Sequence, residues 1–581
     1  MTEEEKKALR ELKASAVGDL QARREVLLAS HRYALDDTDP RLTRYVRGVI
    51  DNPAAHNLYE ILGVRRFFQM LDKYGWRADR VKHFFWFYEL LRFSGINGRT
   101  RYKLTPVQCF QFANIYGFAL PDGRRLTRTA YLFVPRKFSK TTSSAAVAVY
   151  DLLFGDKNAQ AYVGANSYDQ AKICFDEIRS IMFDIDPNGK HFRVNREKIT
   201  FRNKGSNSLI QCLTANAKTK DGLFASLVIM DEYAQARNTA GKNGADLKNV
   251  LTTSMGPRRE PLTLVITTAS EVLDGPFFHE LEGVKKVLRG EAESDTTFAS
   301  LFMPDVDDDE ADPATWRKVQ PHLGITVQAD YYKNEYKTAL LSAENMLAFR
   351  TKLLNIFTIN EDKTWFTYEK ATELLGKFDI DKVQGHPSCA VAFDLSVHDD
   401  FSAVSYTLYS SESRRFYSHT DYYFPEGALP GHPNEKLYRA WNEAGHLKFC
   451  KGDRIDVKRI ADDIIARTKV VNIIRIGYDA YKSQELVSIL SSVGARGALQ
   501  PYSQTYGSFN LPVESFEMLA YDTPPKITLN NNPINVFCLT NCVIDTDNLE
   551  NKKPIKLSQY RKIDGAITML MTLGQLYSYE R

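Results

Sequence analysis

The chain has no Cys-x-x-Cys pair, and its seven cysteines are an odd number. Such usage fits reduced thiols in a cytosolic compartment and offers no zinc spacing. No apolar run approaches the ~20 residues of a membrane span. The opening Met1-Thr2-Glu3-Glu4-Glu5-Lys6-Lys7 lacks a hydrophobic signal region. Internal repeats and low-complexity tracts are absent too. Charge of one sign is scarce: the formal net charge is only +4. That balance allows a nucleic-acid partner without arguing for one, because local clustering decides such binding. What remains is an ordinary globular composition, 43% hydrophobic and 25% charged. At 581 residues it is too long for one core, so two or three domains are expected.

Residues 1–100 read as helical, in charged, Leu- and Arg-rich periodic segments. Between Trp76 and Phe93 apolar residues recur at helix spacing, and their aromatic richness points to packing against a neighbour. From ~104 to ~275 strands at 130–134, 161–165, 209–213, 227–230 and 262–267 alternate with helices, the pattern of a parallel sheet covered by helices. The acidic stretch 305–315 reads as a surface loop. Gly376, Gly385 and Pro387 place a domain boundary within 360–388. Beyond it a second α/β region is expected, with strands near 389–394, 403–409, 415–422, 473–478 and 534–538.

The first strand runs into Pro135, Arg136, Lys137, Phe138, Ser139, Lys140, Thr141 and Thr142, then a helix of small residues over 143–150. Backbone N–H groups at a helix start hold phosphate. Lys140 is placed to reach β- and γ-oxygens, and Thr141 to ligate Mg²⁺. Val134 and Ser139 stand where a phosphate loop usually has glycine, so a basic surface turn is the alternative. The apolar strand ending on Asp231-Glu232 favours the nucleotide site. Asp231 would hold Mg²⁺ and Glu232 would polarise the attacking water, although an acid there also suits a helix cap. Thr267, Thr268 and Ser270 end a further strand where a γ-phosphate sensor belongs. Upstream, the amide of Gln108 is placed to read adenine.

Three more strand-like or apolar stretches meet an aspartate, at Asp394, Asp479 and Asp564. Carboxylates at the ends of adjacent elements suit two Mg²⁺ or Mn²⁺ ions that activate water and stabilise the leaving oxygen of a phosphodiester. Any one of them is an ordinary turn residue; three in this order favour a metal site.

Together these motifs resemble the large terminase subunit of tailed double-stranded DNA phages, over most of the chain from about Leu104 onward. The resemblance implies an α/β protein with a helical N-terminal segment (1–100) and a P-loop ATPase parallel-sheet domain (101–360). A linker (361–388) and a ribonuclease H-like nuclease domain (389–581) would follow. It implies ATP-driven pumping of double-stranded DNA through a portal protein into the procapsid, and endonucleolytic cutting of concatemers, in the host cytoplasm. A small terminase subunit and a homo-oligomeric ring are the implied partners, with no membrane.

By position, Arg136 resembles the loop arginine near the γ-phosphate, with Lys137 and Thr142 beside it. Thr267, Thr268 and Ser270 resemble the motif coupling hydrolysis to movement. Asp394, Asp479 and Asp564 match the nuclease acids, joined by Asp400 or its neighbour Asp399. The segment from Lys218 to Leu223 resembles a family loop but holds no arginine, so the trans-acting arginine is unassigned, with Arg258 and Arg259 as candidates. No long basic tail follows Tyr577 to mark portal docking.

Two other readings compete. A helicase or repair translocase fused to a nuclease would want a second RecA-like domain between ~280 and ~390, and none is evident. A non-enzymatic DNA- or capsid-binding protein would not keep acids at all five positions.

Overall fold

The computed structural model describes residues 3–579, apart from 97, 166–167, 203–204, 215–222, 237, 240–241, 273–274, 359–363, 397–400, 431, 433, 481–482, 548 and 557–561. The chain forms two compact units, Met1–Ile359 and Asn360–Arg581. No helix among the described residues is long and apolar enough to cross a membrane. All seven cysteines are buried and free of disulfides.

The first unit opens with helices α1 (Glu3–Ala22), α2 (Pro40–Asp51), α3 (Leu58–Lys73) and α4 (Ala78–Leu90). A short hairpin, β1 (Phe93–Gly95) and β2 (Gly98–Thr100), leads to helix α5 (Pro106–Tyr116). Local chemistry starts these helices. Asn57 and Glu60 form a reciprocal capping box on α3, and Thr105 with Gln108 forms another on α5, where Pro106 takes the first turn. The aromatic face of α4 is spent on packing: Phe84 stacks on Tyr116 at 4.4 Å and also meets Phe112 and Tyr150. Of its five aromatic residues only Trp86 is exposed. The helices share one hydrophobic core with the sheet that follows.

That sheet holds β3 (Thr129–Phe133), β4 (Gln160–Ala165), β5 (Phe192–Val194), β6 (Lys198–Phe201), β7 (Leu209–Thr214), β8 (Leu227–Asp231), β9 (Leu262–Thr267) and β10 (Thr297–Leu301). Their spatial order is β10-β3-β9-β8-β4-β7-β6-β5. The first six are parallel; β6 and β5 finish the edge antiparallel. Helix α6 (Lys140–Phe154) starts where β3 ends. Fully buried strands of a parallel sheet read as continuous apolar runs, which Leu227–Asp231 and Leu262–Thr267 are. The acidic stretch is a loop as far as Asp312, with Asp307, Asp309 and Asp312 exposed and Asp305 held by ion pairs. Lys13 and Lys318 both pair with Asp305, and a helix already begins at Pro313.

The second unit begins earlier than the expected boundary of 389. Most of the presumed linker folds with it. Trp365 N–H donates to the Cys542 carbonyl at 2.8 Å, and Phe366 lies in the core. Helix α7 (Tyr368–Glu373) leads to β11 (Leu375–Gly376). The remaining strands of this sheet include β12 (Ser388–Asp394), β13 (Ser402–Ser410), β14 (Arg415–Pro425), β15 (Asn472–Tyr478), β16 (Leu499–Pro501) and β17 (Ile527–Asn530). The order is β11-β17-β14-β13-β12-β15-β16, with Lys448–Cys450 pairing beside β14. The β12–β13–β14 pairs are antiparallel and β12–β15 is parallel.

The strand expected at 534–538 is a helix, α8 (Pro533–Asn541). Asn532 accepts from the Ile534 N–H at 2.9 Å and Pro533 takes the first turn, so the cap overrides the strand-like run of apolar residues. The last element, helix α9 (Asp564–Tyr579), packs across β12, β13 and β15.

Candidate active sites

The first site lies at the carboxyl ends of β3, β8 and β9, where α6 begins. Ser139, standing at a usual glycine position, takes φ 69°, and Lys137 takes φ 68°. The loop thus makes two left-handed turns without glycine, at a cost of about 1–3 kcal/mol for each strained residue. External contacts hold it there. Gln320 Nε2 donates to the Arg136 carbonyl at 2.8 Å, the Arg136 N–H donates to the Lys352 carbonyl at 2.9 Å, and Thr326 Oγ1 donates to the Lys137 carbonyl. Arg136 and Lys137 project into solvent, while Phe138 is buried. Thr141 and Thr142 follow Lys140 in the first turn of α6, and Thr142 Oγ1 donates to the Ser139 carbonyl at 2.9 Å.

Lys140 Nζ stands 3.0 Å from Glu232 Oε1 and donates to Thr268 Oγ1. Glu232 has φ 50°, a further strained position. Burial, then the charge of Glu232, pushes the Asp231 carboxyl up to about 7, and Lys140 opposes them. Two adjacent acids facing one lysine form a set of oxygen donors whose charge suits a divalent cation such as Mg²⁺.

Thr267 Oγ1 accepts the Ala234 N–H at 3.0 Å, and Ser270 Oγ donates to the Ala234 carbonyl at 2.6 Å. Thr268 Oγ1 donates to the Val134 carbonyl at 2.8 Å. These hydroxyls therefore tie the turn after Glu232 to the end of β9 and to the start of the loop. Asn355 adds a brace from a segment without periodic signal: its Oδ1 accepts the Ala269 N–H at 2.8 Å. Sequence reasoning missed Gln320, Thr326, Lys352 and Asn355 because they act through backbone groups of distant residues.

Beside the loop opens a cleft of about 520 Å³, lined among others by Tyr88, Tyr102, Gln108, Ser139 and Thr142. Gln108 is buried there, and its carboxamide oxygen already accepts the Thr105 N–H and Oγ1–H, both at 3.1 Å. Arg258 donates to the carbonyls of Phe224 at 3.0 Å and Asn158 at 2.7 Å, contacts within its own unit. Most of the Lys218–Leu223 segment lies outside the described residues.

The second site is built by register. Phe393 pairs with Tyr478 across the parallel strands, so Asp394, which ends β12, and Asp479, which follows β15, stand at the same end of the sheet. Thr572 Oγ1 meets Thr407 Oγ1 at 2.6 Å, and one turn earlier Thr568 Oγ1 meets Ser405 Oγ at 2.8 Å. Thr407 and Ser405 pair with Ala390 and Ala392 on β12, and Ala403 pairs with Asp394. Four helical residues rise ~6 Å and two strand residues ~6.7 Å. One further turn back therefore brings Asp564 level with Asp394. Gly565 permits this approach: a Cβ there would lie 1.9 Å from the Tyr422 hydroxyl.

All three carboxylates are half-buried hard oxygen donors, the type a Mg²⁺ or Mn²⁺ ion takes. Among the described residues no group of three or more His, Cys, Asp or Glu side chains surrounds a single point as a metal centre would. The structure thus brings the three acids to one end of the sheet without clustering them. Asp399 and Asp400 lie outside the described residues.

Two family models match the chain. Residues 106–286 match the ATPase domain of the terminase large subunit, and residues 291–580 match its endonuclease domain. Protein YmfN of Escherichia coli (strain K12) is 26% identical over 388 residues, 64% of this chain and 81% of that protein. The large terminase subunit of Enterobacteria phage HK97 is 23% identical over 481 residues, 81% of this chain and 90% of that one. A crystal structure of the HK97 bacteriophage large terminase has a similar fold, with a TM-score of 0.52 and 21% identity over 86% of this chain and all of that one. The ATPase and endonuclease matches, in that order along one chain, place this protein in the family of phage terminase large subunits, which package DNA with an ATPase and cut it with a nuclease.

Proposed function

We propose that ATP binds with its phosphates on the 134–142 loop and its base in the adjoining cleft, with Gln108 in the cleft wall. The reading is carried by one observation: Lys140 Nζ, at the helix start, lies against both Glu232 and Thr268. Lys140 would hold the β- and γ-oxygens, Arg136 and Lys137 would face the phosphates from solvent, and Thr141 and Asp231 would hold Mg²⁺. Phosphate oxygens arriving at Nζ compete with Glu232 for the lysine. Glu232 is then left to orient a water and take its proton. Because Thr267 and Ser270 grip Ala234, two residues on, a shift of Glu232 is passed to the end of β9. That link supports a coupling role for Thr267, Thr268 and Ser270.

At the second site Asp394, Asp479 and Asp564 would hold two Mg²⁺ or Mn²⁺ ions, with Asp400 as a further candidate ligand. Bound ions would supply a nucleophilic water and stabilise the leaving oxygen of a phosphodiester. The substrate is double-stranded DNA, held by its phosphates. Lys552, Lys553 and Lys556, on a strand that pairs with Cys542–Thr546, are candidate contacts. The portal protein, a small terminase subunit and further copies of this chain in a ring are the proposed partners, in the host cytoplasm.

Plasmid nicking by the purified protein tests the nuclease half. It should be stronger with Mn²⁺ than with Mg²⁺, vanish with EDTA, and fall steeply with salt. Cleavage that persists in EDTA would remove the metal assignment.

A further inference from the structure

The nucleotide cleft is walled by two hydrogen-bonded segments, one reaching from His322 to Gln108 and the other from Tyr88 to the phosphate loop. His322 is fully buried and stacks flat on Phe138 of that loop, with centroids 4.3 Å apart and planes 3° from parallel. Its Nε2 lies 2.9 Å from Thr105 Oγ1. Thr105 Oγ1 donates to Gln108 Oε1 at 3.1 Å. The Gln108 carboxamide lies beside the Tyr88 hydroxyl and works against the rise that burial gives its pKa, an electrostatic contact that links the two hydrogen-bonded segments. Tyr88 donates to Thr142 Oγ1 at 3.3 Å, and Thr142 donates to the Ser139 carbonyl at 2.9 Å. Every one of these residues but Phe138 lines the cleft.

The donors run in one direction. Thr105 has a single hydroxyl proton, and Gln108 Oε1 takes it. With that proton on Gln108 Oε1, His322 supplies the proton of its bond to Thr105, the Nε2–H tautomer. Nδ1 is then a bare acceptor, and it is buried with no hydrogen-bond partner. A bare acceptor is the cheaper group to leave there, since a buried N–H without a partner costs more. Burial also lowers the His322 pKa to about 4, so the ring stays neutral through the physiological range. Reversing any one bond would leave two donors or two acceptors facing each other. Chains of this kind polarise one another and hold a single arrangement.

We propose that His322 is a positioning residue for ATP: through Thr105, Gln108, Tyr88 and Thr142 it sets the orientation of the Gln108 carboxamide and the placing of the Ser139 turn. This rests on the cleft and loop being the ATP site. Removing one member should weaken nucleotide binding without removing the groups that act on the γ-phosphate. A second break should add little, because a chain already interrupted has no further order to lose.

The experiment is steady-state ATP hydrolysis by the full chain. Wild-type hydrolysis that Lys140→Ala abolishes establishes the site independently of the relay. His322→Phe keeps a flat ring on Phe138 but removes the N–H, and Tyr88→Phe removes one hydroxyl. Each should raise KM for ATP about three- to tenfold with kcat within about twofold. The double variant should be no worse than the poorer single one, and His322→Gln, which restores a donor, should recover most of the loss. KM values unchanged in both single variants, or losses that multiply in the double variant, would overturn the relay. If His322→Phe does not fold, the KM of Tyr88→Phe decides alone, since that change removes a single oxygen from a packed ring.

Discussion

Gly565 shows how closely the start of α9 packs on the sheet for want of one methyl group. A Cβ there would lie 1.9 Å from the Tyr422 hydroxyl and 2.7 Å from the ring carbon that bears it, and Tyr422 is itself held by Asn535 at 2.8 Å. The start of α9 would have to move, taking Asp564 with it. Gly565→Ala should therefore cost about 1–3 kcal/mol of stability. It should also cut metal-dependent nicking by about a hundredfold or more, a 1 Å misplacement being enough for such a loss. ATP hydrolysis should stay at the wild-type level; nicking that survives at the wild-type rate would show that α9 does not need this close approach.

A second residue with a clear signature is Asp151, on the far end of α6. Burial raises its carboxyl to about 6, against the lowering effect of Ser226, whose hydroxyl donates to it at 2.6 Å. A carboxyl whose folded pKa exceeds its unfolded 3.8 favours the folded state when protonated. That contribution is fully present below about pH 4 and is lost as pH rises through about 6, on the order of 3 kcal/mol in all. Thermal unfolding from pH 4 to 8 should show this slope in the wild type and a flatter one in Asp151→Asn. Equal slopes would remove Asp151 as its cause.

Among the elements, strands buried on both faces were the most legible, because parallel sheets need apolar runs and little else produces them at that length. Leu227–Asp231 and Leu262–Thr267 read correctly with the acid and the hydroxyls at their carboxyl ends. Helix α8 did not read correctly: the apolar residues at 534–538 look like a strand, and the deciding signal was the Asn532-Pro533 pair just before them. The braces on the 134–142 loop were illegible for a different reason. Gln320, Thr326 and Lys352 use backbone carbonyls, which leave no pattern of side-chain types to recognise.

The hydroxyl pairs under α9 were invisible in the same way, since a threonine every fourth residue on an apolar helix shows no partner until the sheet is in place. They are nonetheless what sets Asp564 level with Asp394.

For the whole molecule, the division at Ile359/Asn360 and the match of residues 291–580 to the endonuclease family model do not coincide. The family segment includes residues that fold with the first unit and brace its 134–142 loop. Phe366 and β11 belong to the second unit's core and sheet. A fragment of residues 360–581 should therefore fold and nick DNA. A fragment starting at 375 lacks Trp365, Phe366 and α7, and should unfold at a lower temperature. Equal melting temperatures for the two would show that this segment contributes nothing to the second unit.

The central claim is that one chain carries two chemically separate sites, and paired assays of three proteins test it most directly. ATP hydrolysis and Mn²⁺-dependent plasmid nicking are measured for the wild type, Lys140→Ala and Asp394→Ala. The expected result is that Lys140→Ala loses hydrolysis and keeps nicking, whereas Asp394→Ala loses nicking and keeps hydrolysis. Near wild-type nicking by Asp394→Ala, or undiminished hydrolysis by Lys140→Ala, would contradict the assignment of that site.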